Sequence, residues 1–260
     1  MRISVLGLIA GLAIGAAAGV AVAGEASNFK ILKLEGNSVR WQKSGPGFET
    51  PVVTYSLVSD AVDFPRARNC RKMTSLDGLT AASQVAMSAM RDEISAAFAM
   101  WESVAGISFR EAADPGKADI LIGAQVEPDG WAFADVFYDT QSPSEVKPIS
   151  RSLVCLNPAK RWKIGFDGDL KTYDLRYTIA HEIGHAIGLD HPSSAGTIMG
   201  YRYEERFRDL QPGDVQGAVA LYGPRATSDV ELATDDRVPQ DPTRATTARP
   251  LSRALGTRAP

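Results

Sequence analysis

The sequence predicts an α/β (α+β) fold, a twisted mixed five-stranded sheet with a long helix, a chemistry-bearing helix and a C-terminal helix. Three observations predict it. Pro51 to Val58 is a β-branched and aromatic run, the mark of a strand. From Thr80 to about Val104 the period becomes helical, with Val85, Met90, Ile94, Phe98 and Trp101 forming an apolar stripe. Short apolar runs then return, as in Ala118-Asp119-Ile120-Leu121-Ile122-Gly123, which reads as a buried strand.

Taken in order, residues 24–47 form a lead-in, with a short strand near Phe29–Leu34, a turn at Glu35-Gly36-Asn37 and Trp41 packing on the body. After the first main strand, Ser59 to Leu79 is polar and reads as a long loop. The long helix follows, then strands at Gly106–Phe109, Ala118–Gly123, Trp131–Phe137 and Ile149–Leu156. Asp167-Gly168-Asp169 is a turn, and the next helix starts near Thr172 or Asp174. A last helix runs from near Gln211 to Leu221, with Pro212 tolerated in its first turn and Gly223 just past its end.

The termini read differently. Met1-Arg2 opens an uncharged run, Ile3 to Ala23, ending Ala21-Val22-Ala23. That is the pattern of a signal peptide (1–23) cleaved after Ala23, which predicts a secreted or periplasmic protein with no stable membrane insertion. An uncleaved anchor competes, but the many Gly and Ala residues make the run weakly hydrophobic for a span. Residues 225–260 are rich in Ala, Thr, Arg, Asp and Pro with almost no large apolar residue, so a disordered tail follows a domain expected over 48–224. A net charge of −3 gives no basis for a nucleic-acid partner. Cys70 and Cys155 are the two cysteines, and in an exported protein a pair is expected as a disulfide. Closing so long a loop contributes ~4 kcal/mol in the chain-entropy model.

The chemistry concentrates in His181-Glu182-Ile183-Gly184-His185-Ala186-Ile187-Gly188-Leu189-Asp190-His191. Positions i and i+4 share a helix face, so His181 and His185 reach one metal ion. His191 would lie about 240° round the axis if the helix continued, so the chain has to stop and turn back. Gly188 stands where that must happen. Three neutral imidazoles leave a tetrahedral zinc with an open position, and Glu182 is placed to take a proton from the water filling it. The chain has three histidines, and all three occupy ligand positions.

This string fits H-E-x-x-H-x-x-G-x-x-H at every fixed position and is similar to the zinc motif of the metzincin metallopeptidases. From about Val53 to Gly223 the chain resembles the matrixin (peptidase M10) branch, as a catalytic domain of a bacterial type. The resemblance rests on Phe98-Ala99-Met100-Trp101, on Ala118–Ile122, on the short spacing from His191 to Met199, and on Leu210-Gln211-Pro212-Gly213-Asp214-Val215-Gln216-Gly217 leading to Leu221-Tyr222-Gly223. It implies a metzincin (zincin-like) fold and a zinc endopeptidase acting on peptides or proteins outside the cytoplasm, as a monomer. Met199 would be the Met-turn residue beneath the zinc. The strand Trp131–Phe137 would be the edge along which a peptide adds, and residues near Tyr201 and Tyr203 would wall the pocket.

The chain departs from that family in three respects. It has no further histidines for a second, structural zinc, so one Zn2+ is expected. The glycine-rich calcium loop is replaced by Pro148-Ile149-Ser150-Arg151-Ser152, leaving Asp119 either as a Ca2+ ligand or as an ordinary strand-end residue. It also has no recognisable inhibitory segment with a zinc-binding cysteine. Tyr201 stands where astacins and serralysins carry a zinc-side or oxyanion-stabilising tyrosine and matrixins commonly a proline, so both that role and a pocket-wall role are open. A rival class is a non-catalytic zinc-bearing envelope binding protein, against which the intact Glu182 argues.

Overall fold

The computed structural model describes residues 28–42 and 50–226. The expected signal peptide with its cut after Ala23, and the expected tail from residue 227 onward, lie outside the described residues. Three short strands come first, β1 (Lys30–Ile31), β2 (Lys33–Leu34) and β3 (Asn37–Arg40). Strands β4 (Val52–Leu57), β5 (Val62–Asp63) and β6 (Lys72–Thr74) lead to helices α1 (Asp77–Ser83) and α2 (Met87–Val104). Next come β7 (Ser108–Glu111), β8 (Ile120–Gln125), β9 (Ala132–Tyr138) and β10 (Lys147–Leu156). The chain then forms β11 (Trp162–Lys163), β12 (Tyr173–Asp174), α3 (Leu175–Ala186), β13 (Leu189–Asp190) and α4 (Pro212–Tyr222).

The expected five-stranded mixed sheet runs β9-β10-β8-β4-β7, with β9 antiparallel on β10 and the other pairings parallel. Short strands extend it to nine, β3 lying beside the first residues of β10 and β6 beside the end of β8. Every residue of β8 is buried, because helices cover one face of the sheet and the β4–β6 region covers the other. Met90, Ile94, Phe98 and Trp101 of α2 fill the first side, as their spacing predicts. The Trp101 indole donates to the Ala180 carbonyl at 2.9 Å and that of Trp41 to Ala186 at 3.1 Å. Both bonds tie α3 into the body, and Trp41 packs there as expected.

Two expectations need correction. The helical period from Thr80 to Val104 is not one helix but α1 and α2, divided at Gln84 in the left-handed region (φ 55°). Ser83 is buried there and its hydroxyl accepts the Trp162 N–H at 3.0 Å, a contact almost eighty residues away that periodicity does not reveal. The stretch Ser59–Leu79 is likewise no plain loop, since it holds β5, β6 and the start of α1.

The segment from Asn28 to Arg40 is packed into the body. Strand β1 pairs with β13, and Leu32 N–H donates to the Gly188 carbonyl at 2.8 Å. Three glycines make its path. A Cβ at Gly188 would overlap the Val39 carbonyl, one at Gly213 would overlap that of Asn28, and one at Gly217 would press on Phe29. Gly188 also turns the chain at φ 106°, which a side chain would strain.

Cys70 and Cys155 are bonded, with Cα atoms 5.7 Å apart. The link joins β10 to the loop before β6 across 85 residues. Replacing both by serine is expected to cost about 4–5 kcal/mol through the freer unfolded chain. A thermal melt should fall by ~10 °C or more. A fall of only ~2 °C would mean that the loop's hydrogen bonds alone hold it.

Candidate metal centre and cleft

Helix α3 is set by Asp174. Its carboxylate caps the helix at the Tyr177 N–H (2.8 Å), and also accepts the Gly165 N–H (2.6 Å) and the Arg208 guanidinium (3.2 Å). Arg208 and Arg176 share Glu93 of α2, Arg176 through two bonds of 2.7 and 3.0 Å. The first turn of α3 is thereby fixed against α2 before the histidines come up.

His181 and His185 stand one turn apart, and the turn at Gly188 returns the chain so that His191 meets them. The three Nε2 atoms lie 3.1, 3.2 and 3.2 Å from one another. His181 Nδ1 is 2.7 Å from the Ile198 carbonyl and His185 Nδ1 is 2.8 Å from that of Leu189. A carbonyl only accepts, so both Nδ1 atoms carry the hydrogen, and the facing Nε2 atoms present bare lone pairs. Lone pairs converging at that distance call for a cation. A tetrahedral zinc with bonds of 2.0–2.1 Å needs nitrogens about 3.3 Å apart, so the donor set fits. Burial holds His181 well below the ordinary imidazole pKa, His185 down to about 4 and His191 below its ordinary value. All three are neutral, as ligands must be.

The turn bearing His191 is held from outside. Lys30 pairs with Asp190 at 2.6 Å, and the Asp190 carboxylate accepts the His191 N–H at 2.8 Å. Tyr201 stacks on the His191 ring, 3.9 Å between centroids, and is 76% exposed. It covers the flank of a ligand. Met199 is buried directly below α3, where a Cβ on Gly184 would overlap its sulfur. Asp214 of α4, 1% exposed, accepts the N–H groups of Ile198, Met199 and Gln211 at 2.9, 3.0 and 2.8 Å. It therefore fixes the loop whose Ile198 carbonyl orients His181.

Glu182 is 6% exposed and lines the cleft beside the triad. Burial, and then the charge of Asp135, push its carboxyl up to about 8. The cleft measures about 710 Å³. One wall is β9, whose second edge is unpaired among the described residues. At one end Trp131 stacks on Tyr173 (3.8 Å) and Tyr173 on Tyr203 (4.2 Å). Tyr203 is held by Asp174 N–H and Glu205. Leu32 and Leu34 also line the cleft.

Sequence reasoning named the triad, Glu182, Met199, Tyr201 and Tyr203, and the fold gathers them in one place. It missed Asp135, Leu32, Leu34 and the loop Arg66–Asn69. The signal for Asp135 was legible, a lone carboxylate inside an apolar strand. Asp119, the residue left for calcium, accepts both the Thr54 N–H and the Thr54 hydroxyl at 2.8 Å. It clasps two parallel strands together, which is a strand-end role.

A model of the matrixin peptidase family matches residues 52–223. Among similar curated proteins, the Arabidopsis thaliana metalloendoproteinase 1-MMP is 36% identical over 137 residues, 49% of this chain and 36% of that protein. Human matrix metalloproteinase-26 is 28% identical over 151 residues, 55% of each chain. Mouse stromelysin-3 is 28% identical over 205 residues, 70% of this chain and 39% of its own. The chain thus spans about half or less of the length of these relatives.

Proposed function

Because the chain belongs to the matrixin family of peptidases, we propose that it is a zinc-dependent endopeptidase that cuts exported or periplasmic proteins. The observation that carries this reading is three imidazole Nε2 atoms about 3 Å apart, two of them bare by their carbonyl contacts, beside a buried carboxyl group in a cleft walled by an open strand edge.

Each part of the site has a task. His181, His185 and His191 hold the ion, and the Ile198 and Leu189 carbonyls keep the first two rings from turning. When bound, zinc supplies Lewis-acid polarisation of a carbonyl and of a water. Glu182 takes the proton of the attacking water and returns it to the leaving amine. The free edge of β9 offers backbone hydrogen bonds to an extended peptide of any sequence, which suits cleavage within a chain. Tyr201 braces His191 and walls the cleft. The exported location is supported by the N-terminal composition and by the disulfide.

The reading is tested by digesting a peptide library with protein that has been stripped by a chelator and then reloaded. Cleavage should vanish on stripping and return with one equivalent of zinc. Unchanged cleavage in the stripped form would rule out a metal-dependent activity. Absence of cleavage in every form would remove the peptidase reading itself.

A further inference from the structure

The cleft differs in chemistry between its two ends, and β9 runs between them. The Trp131 end is aromatic. The other end, beside Asp135 to Phe137, is formed by Arg66, Ala67, Arg68 and Asn69. Both arginines are exposed, and among the described residues neither forms an ion pair with a carboxylate. Arg66 is also shared with a second cavity of about 360 Å³, bordered by Phe137 and Arg151, so positive charge continues past the end of the cleft. Asp63 is the one acidic residue that lines that second cavity.

The loop that carries these arginines is held rigidly for a surface segment. Asp135 accepts the N–H groups of Asn69 and Cys70, both at 2.8 Å, and the Asn69 side-chain amide at 3.2 Å. The disulfide fastens Cys70 to β10. Phe64 N–H donates to Arg71 at 2.6 Å, Ala67 N–H to Phe64 at 2.8 Å, and the Arg71 guanidinium to the Ala67 carbonyl at 3.2 Å. The Asp135 carboxylate is thus occupied by backbone and amide donors, and Asp190 by Lys30. Among the described residues no ion pair takes up the arginine forks, which leaves them for a ligand.

We propose that Arg66 and Arg68 form a carboxylate-recognising subsite, so that preferred substrates carry Asp or Glu on the side of the scissile bond that passes Asp135–Phe137. This rests on the endopeptidase reading and on a peptide laid along β9. A guanidinium offers a planar pair of donors that matches a carboxylate, and a fixed loop limits the entropy lost on pairing. The pairs are open to solvent, so each acidic residue raises kcat/KM by about two- to fivefold, and salt reduces the gain.

The test uses the zinc-loaded full chain and peptides matched except for Glu, Gln or Lys at each position on either side of one scissile bond. The expected result is a Glu-over-Lys ratio in kcat/KM above about threefold at one or more positions on a single side. It should weaken in Arg66→Gln/Arg68→Gln and invert in Arg66→Glu/Arg68→Glu. Equal ratios in all three proteins would overturn the subsite. Anisotropy of the same labelled peptides on Glu182→Ala protein separates the two ideas. Charge-selective binding without any cleavage by the wild type would keep the subsite and discard the peptidase. Cleavage without charge selectivity would do the reverse.

Discussion

Replacing Glu182 by alanine is expected to abolish peptide cleavage, by at least 10²–10⁴-fold, while leaving zinc content at one ion per chain. The carboxylate lines the cleft next to the triad but belongs to none of the three imidazole pairs that define the ion's position. Its side chain makes no hydrogen bond to the described residues, so removing it should leave the fold intact. The variant should melt close to the wild-type temperature. Metal analysis, melting and digestion of a peptide library, run side by side, read all three quantities. Turnover within tenfold of wild type would mean that another group handles the proton.

The second large effect is expected from Asp214→Ala, which touches neither ion nor substrate. Its carboxylate satisfies three backbone N–H groups in the interior, two of them in the loop at Ile198 and Met199. Alanine leaves all three without a partner at about 1–3 kcal/mol each, partly recovered as water enters. A net loss of about 3–5 kcal/mol is expected, or a melting point lower by ~10 °C. The same loop supplies the carbonyl that orients His181, so zinc affinity should fall about 10–100-fold in a chelator competition. Asp214→Asn keeps one accepting oxygen and should lie between the two. An alanine variant with wild-type stability and zinc affinity would show that the loop is held by its packing alone.

Much of the site was legible because its rules are local. Two histidines four apart share a helix face whatever surrounds them, and Gly188 was readable as the turn that brings His191 back. Asp174 before α3, and Pro212 and Gly223 around α4, marked helix ends through caps that depend on neighbours in sequence. The places of the five main strands along the chain were also legible, from runs of apolar and β-branched residues.

The tertiary structure decided what depends on partners far along the chain. At the break at Gln84 the preceding Ser83 accepts the Trp162 N–H, a contact that no periodicity reveals. Asp119 was a carboxylate without a partner until folding brought Thr54 to it. The Asn28–Arg40 segment read as a weak lead-in, yet three glycines distant in sequence leave it a path against the turn that bears His191. The cationic end of the cleft exists because Asp135 and a disulfide hold a loop from another part of the chain beside β9. Spacing along a helix determines which residues can hold an ion, whereas the shape and charge of the surrounding cleft are set by long-range contacts whose partners only the folded chain selects.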